Sequence, residues 1–336
     1  MARVPLSVLD LSPVSTGSTP ADALRASTDL ARTADALGYH RLWVAEHHNM
    51  PGIASTAPAV LIAHLAAVTE RIRVGSGGVM LPNHPPLVVA EQFAMLEGLH
   101  PGRIDLGIGR APGTDPRTAA ALRRTPDGLN AEQFPQELVD LVAYLGRDTA
   151  PPSAGDDDLV DFTPRPGTVP VIWLLGSSGY SAQLAGLLGL PFSFAHHFSA
   201  VNTLPALELY RSRFRPSPFL AAPQAMVAVS VIVADTEAEA RRLSTSGQLS
   251  FVRLRAGRPG TLPSPEEAEA YAFTEADRHL LAGRGNAHVA GDPEQVVAAL
   301  ERLQADTAAD ELMVTTMVHD PAARLHSYEL LAKAWF

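Results

Sequence analysis

The sequence predicts an α/β chain closed into a (β/α)8 TIM barrel with inserted loops, on three observations. Eight short apolar runs alternate with longer amphipathic ones. The short runs are apolar throughout, as strands of a parallel sheet buried on both faces must be. Seven of them in a row end in polar residues, which a barrel would gather on its C-terminal face, where sites form. At 336 residues the chain could hold two average domains, but barrels of this kind are single domains of comparable length. The reading is one barrel domain over 1–336, with insertions at about 111–129, 147–169 and 257–275.

The elements follow in order. Residues 6–11 form the first strand and 20–38 a helix, with Thr19 before Pro20 as cap and first-turn proline and Gly38 as stop. Strand 41–45, helix 57–69, strand 72–81 and a helix at 86–99 come next, the last ending at Pro101-Gly102. Strand 104–108 leads into 111–129, rich in Pro, Gly, Thr and Arg without a clear period and therefore assigned to loop. A helix at 130–146 precedes a second irregular stretch, 147–169. Strand 171–175 is followed by helix 180–189, strand 192–195 by helix 202–214, and strand 226–234 by a helix opening at Thr236. Residues 257–265 interrupt the pattern with Pro and Gly. Asp292-Pro293 opens a helix over 292–304, strand 312–318 is the eighth, and helix 321–334 closes the chain.

Composition narrows the function classes. Apolar residues make up 46% and charged residues 18%, which is too apolar for disorder. With 26 Lys+Arg against 36 Asp+Glu the net charge is −10, which argues against nucleic acid as a partner. There is no cysteine, so disulfides, thiol nucleophiles, iron–sulfur clusters and zinc–thiolate sites are excluded. The first residues do not read as a signal peptide and no run of 18 apolar residues exists, so no membrane association is expected and the default location is cytoplasmic.

The polar strand ends carry the candidate chemistry. Glu46-His47-His48 follows the second strand. Adjacent strand residues point to opposite faces, so the two histidines do not converge on one ion; there is no H-E-x-x-H, and no metal is expected. Either histidine taken alone reads as a strand-end residue bonded to a neighbour. Gly75-Ser76-Gly77-Gly78 inside a buried strand marks close backbone approach, either to a planar ligand or to packed neighbours. Gly107-Ile108-Gly109-Arg110 lacks the G-x-G-x-x-G spacing of a dinucleotide loop. Arg110 there suits a phosphate, and equally an acidic neighbour. Gly176-Ser177-Ser178-Gly179-Tyr180 sits between strand and helix, where free backbone N–H groups bind anions or serines simply cap. The two segments lie on successive strands, which favours one shared phosphate.

At these residues the sequence resembles the luciferase-like monooxygenase family, the flavin-dependent group that includes bacterial luciferase. The matching segments are RLWVAEHHN (41–49), 71–115, WLLGSSGYSAQLAGLLGLPFSFAHHF (173–198) and DELMVTTMVHD with Arg324 and Ser327-Tyr328, nearly the whole chain. The resemblance implies a barrel binding FMN at its C-terminal mouth. Arg110 and Ser177 would hold the phosphate, with backbone of Ser178, Gly179 and Tyr180. Gly77-Gly78 matches a non-prolyl cis peptide beneath the flavin ring, and His47 a catalytic histidine, with Glu46 and His84 as further catalytic candidates. Gly109 stands where luciferase has a reactive cysteine, so light emission is not expected. The expected activity is a two-component monooxygenase: a separate flavin reductase supplies FMNH2, O2 gives a C4a-(hydro)peroxyflavin, and a small organic substrate is oxygenated. Alternatives are hydride transfer with FMN or F420, and a non-catalytic flavin-binding protein. The family's habit implies a homodimer through 57–69 and 86–99, the latter carrying Leu87, Val88, Phe93 and Met95.

Overall fold

The computed structural model describes residues 2–111, 113–123, 133–146, 160–164 and 167–336. Eight parallel strands close on one another: β1 (Leu6–Asp10), β2 (Arg41–Val44), β3 (Arg73–Met80), β4 (Ile104–Gly109), β5 (Val171–Gly176), β6 (Phe192–Ala195), β7 (Ala225–Val233) and β9 (Glu311–Thr315). Each pairs with the next, β7 pairs with β9, and β9 returns to β1, so the barrel has no open edge. Its helices are α1 (Pro20–Leu37), α2 (Pro58–Ala67), α3 (Pro86–Leu99), α4 (Pro116–Arg123), α5 (Phe134–Gly146), α6 (Gly179–Leu188), α7 (Thr203–Arg213), α8 (Glu237–Arg255), α9 (Pro265–Glu269), α10 (Glu275–Ala282), α11 (Pro293–Thr307) and α12 (Pro321–Trp335). Among the described residues no helix is long and apolar enough to cross a membrane.

Local rules account for the ends. Thr19 caps α1 in a reciprocal box with Asp22, and Gly38 closes it at φ 89°, a left-handed conformation glycine adopts freely. Asp292 caps α11 in a like box with Gln295, and the Asp320 carboxylate caps α12 by accepting from the Ala322 and Ala323 N–H groups, each ahead of a proline. Proline fills a first-turn position whose N–H has no helical partner. That placement recurs in α1, α2, α3, α4, α9, α11 and α12, which is how a proline-rich chain stays ordered.

The inner face of the barrel forms layers. At the N-terminal end Arg41, Asp105 and Glu311 are buried together. Arg41 forks onto Glu311 (Nε to Oε1 2.7 Å, Nη2 to Oε2 2.9 Å) and donates to Asp105 at 2.7 Å; Arg73 and Trp43 Nε1 also donate to Asp105. Above lie Leu9, Trp43, Trp173, Met226, Ala228 and Met313. The outer faces of the strands pack against the helices in a larger apolar layer. Gly75 and Gly107 are required by this crowding. A Cβ on Gly75 would sit 2.9 Å from Trp43 Cδ1, and one on Gly107 2.8 Å from Leu175 Cδ1.

Residues 111–129 are not all loop: α4 occupies Pro116–Arg123, capped by Asp115, whose carboxylate accepts from the Arg117 and Thr118 N–H groups. Residues 257–275 contain α9. A ninth strand, β8 (His288–Gly291), pairs with β7 outside the closed ring. A four-residue edge strand needs no long apolar run, and its pattern is correspondingly faint. The expected helix start at 130, and 147–159, lie outside the described residues.

Candidate active site

The odd-numbered residues at the end of β2 face inward: Trp43, Ala45 and His47 line a cavity of about 300 Å3 at the C-terminal mouth. Leu9, Gly77, Gly109, Arg110, Leu175, Ser177, Ser178, His197 and Met313 complete much of its wall. Period-2 alternation sends Glu46 the other way, into full burial behind the wall. Its carboxylate accepts four hydrogen bonds at 2.9 Å, from Met80 N–H, Asn83 Nδ2, His48 Nε2 and His84 Nε2. Burial alone would raise the Glu46 pKa, but these donors, His84 foremost, hold it below the usual value. Glu46 therefore stays ionised and ties the turn after β3 to the end of β2. It positions the strand end that carries His47. His84 is committed to the same carboxylate and does not line the cavity.

His47 is placed differently. Its Nδ1 is buried with no hydrogen-bond partner among the described residues, and its backbone N–H is fixed to Ser55 O at 3.1 Å. Burial depresses its pKa to about 4, opposed by the Glu46 charge and aided by that of His48. The imidazole is thus neutral at pH 7, and the unperturbed histidine value does not apply to it.

The two glycines of 77–78 separate. The peptide between them is cis. Gly77 lines the cavity, whereas a Cβ on Gly78 would lie 2.7 Å from Gly107 O, so Gly78 is spent on contact with β4. A Cβ on Gly109 would meet Met80 Sδ at 2.7 Å, which leaves no room for a larger side chain without movement.

The other end of the cavity gathers hydrogen-bond donors. Arg110 is exposed, without a carboxylate partner among the described residues, and its guanidinium stands 4.2 Å over the Tyr180 ring. Ser177 and Ser178 are exposed beside it, and α6 starts at Gly179. Ser178 makes no side-chain cap, so the first-turn N–H groups of a ten-residue helix point outward together with its dipole. Gly179 and Tyr180 do not line the cavity themselves; Tyr180 supports Arg110 from below. Sequence reasoning missed His197 as a site residue, although the pair His196-His197 was visible at the strand end. His197 Nδ1 donates to Ala228 O at 3.0 Å, and burial pushes its pKa down to about 4. Among the described residues no cluster of three metal-ligating side chains is present.

The family model for luciferase-like monooxygenases matches residues 4–310. A luciferase-like monooxygenase of Escherichia coli (strain K12) is 48% identical over 331 residues, 97% of this chain and 96% of that protein. The N-acetyl-S-alkylcysteine monooxygenase of Bacillus subtilis (strain 168) is 36% identical, covering 98% of this chain and 97% of its own length. The crystal structure of apo-MsnO8 superposes with a TM-score of 0.89 at 41% identity, covering 99% of this chain and 98% of that one.

Proposed function

The chain belongs to the luciferase-like monooxygenase family and is a flavin-dependent oxidoreductase, and from that premise we propose that it is an FMN-dependent monooxygenase acting on a small organic substrate with externally supplied FMNH2 and O2. The observation that carries the choice of FMN is the donor cluster at one end of the cavity: Arg110, Ser177, Ser178 and the start of α6, with no carboxylate on the guanidinium among the described residues. A terminal phosphate suits that donor set. The glycine floor at Gly77 and Gly109 suits a flat ring, and the unpartnered His47 Nδ1 suits a ligand atom. The residues therefore fit the cofactor.

Bound in reduced form, FMN would supply the two electrons that send one atom of O2 to water while the other enters the substrate. The protein supplies the rest. Leu9, Trp43, Leu175 and Met313 keep water from the reacting region. His47, neutral and with a free ring nitrogen, accepts or holds a proton at Nδ1. Glu46 fixes the backbone from which it projects. An N-acetylated thioether amino acid is one substrate class compatible with this reading, as the Bacillus subtilis relative's name indicates. A separate reductase would deliver FMNH2, since the sequence holds no dinucleotide fingerprint.

Two expected results test this reading. Mixing the protein loaded with reduced FMN with O2 in a stopped-flow instrument should show a delay before oxidised flavin appears; single-phase reoxidation as fast as free FMNH2 would contradict it. Replacing His47 by Ala should cut oxygenated product by about 100-fold and leave FMN affinity within about twofold, with the oxygen uptake diverted to H2O2.

We also propose a homodimer through α2 and α3. Val60 (73% exposed), Met95 (54%) and Leu99 (64%) stand outward there, whereas Phe93, expected on this face, is fully buried. Light scattering should give twice the 35.6 kDa chain mass, and a monomer mass at micromolar concentration would refute it.

A further inference from the structure

Across the barrel from β4, which leads to Arg110, stand β7 and β9, and one step above the cavity wall they carry a second polar layer. Ala228 pairs with Met313 in the wall, and the next inward pair is Ser230 with Thr315. On its other side Ser230 pairs with His288 of the extra strand β8, so the three side chains share one face. His288 Nδ1 is bonded to Ser230 Oγ at 2.8 Å. That leaves His288 Nε2 buried with no partner among the described residues. Thr315 Oγ1 is likewise buried and unpartnered, and so is Nε of Arg284, in the turn leading into β8. That turn, Gly285–Ala287, packs on Ala200–Asn202, just after the cavity residues His197 and Phe198.

Arg284 is a half-buried guanidinium 4.7 Å over the Phe251 ring, and Arg255 lies 5.1 Å over the same ring. Among the described residues no carboxylate bonds to Arg284. Burial alone pushes its pKa down, and its charge reaches both His197 and His288. An uncompensated cation beside unsatisfied hydroxyl and imidazole groups is costly, and an anionic ligand group removes that cost.

We propose that Arg284, Thr315 and His288 receive the carboxylate of the substrate, so that the enzyme acts on organic acids whose apolar portion extends into the flavin cavity. The guanidinium donates through Nε–H, Thr315 through its hydroxyl, and His288 through Nε2–H when the Ser230 hydroxyl donates to Nδ1. The arrangement sets the substrate's charge and the cofactor's phosphate at opposite sides of the mouth. It rests on the monooxygenase reading only in calling the bound acid a substrate.

The test is equilibrium binding by ligand-observed NMR, with hexanoate and hexanamide as probes, on the whole chain with and without FMN. Hexanoate should bind at least about 10-fold more tightly than hexanamide. Arg284→Gln should weaken hexanoate by about 10- to 100-fold and hexanamide by less than about twofold. Thr315→Val, close to isosteric, should weaken hexanoate by about 3- to 10-fold. The proposal is overturned if hexanoate does not bind, if acid and amide bind alike, or if the preference depends on Arg110 and not on Arg284. Loss of this preference with intact FMN binding and delayed reoxidation would sink the carboxylate site alone. Preserved preference without FMN binding would sink the cofactor reading alone.

Discussion

Replacing Arg41 by Met is expected to destabilise the fold by roughly 3–5 kcal/mol, because it leaves buried carboxylates without their cation. Asp105 and Glu311 side chains are 0% and 3% exposed at the N-terminal end of the barrel. Arg73 still bonds to Asp105 at 2.6 Å, but among the described residues Glu311 keeps only the Ser7 hydroxyl. Replacing all three buried charges by apolar residues of similar volume should cost far less, since the penalty comes from the unpaired charge and not from the lost attraction. Urea denaturation read by tryptophan fluorescence checks this directly: Trp43 and Trp173 lie in the layer just above, with ring centroids 5.6 Å apart. A midpoint within error of the parent protein would contradict the account.

Acidification is expected to produce a loss of similar size without any mutation. Burial depresses His47, His197 and His288 to about 4 from an ordinary 6.5. Between these values the unfolded chain binds protons that the folded chain does not, so stability is full above about 6.5 and falls as pH drops towards 4. Each histidine contributes roughly 1–2 kcal/mol of this loss by pH 5. His40 is shifted in the same direction by burial and by Arg41. Exposed His326, raised by its bond to Asp235, works weakly the other way. Denaturation midpoints at pH 7.5 and pH 5 should differ accordingly, and His288→Gln should reduce the pH slope. Equal midpoints would show that these imidazoles are protonated in the native state. The same depression predicts no inflection near pH 6.5 in the rate profile attributable to His47.

The barrel was legible because its evidence is periodic and repeated. Continuous apolar strands, prolines at helix starts and Gly38 at a helix stop each state one local rule, and eight repetitions agree. The segments read wrongly were those where the signal is short. Asp115-Pro116 opens α4 by the same cap and proline as Asp292-Pro293, yet the surrounding Gly and Thr obscured it. β8 needs only four residues because it sits outside the closed ring.

For the site, alternation separated what adjacency had grouped. Glu46 and His47 are sequence neighbours with opposite surroundings, one a saturated carboxylate hub and the other an unsatisfied ring in the cavity. Gly77 and Gly78 divide in the same way, between the cavity floor and the β4 backbone. His197 and the Ser230–His288–Thr315 layer could be placed only once strand register was known. Sequence position gives the strand end, but not which strand stands beside it.

The most direct measurement is titration of the protein with FMN and, separately, with F420, repeated on Arg110→Ala. Saturable FMN binding is expected, weakened by about 10- to 100-fold in Arg110→Ala, with weaker binding of F420. Tight F420 binding without FMN binding, or FMN affinity indifferent to Arg110, would contradict it.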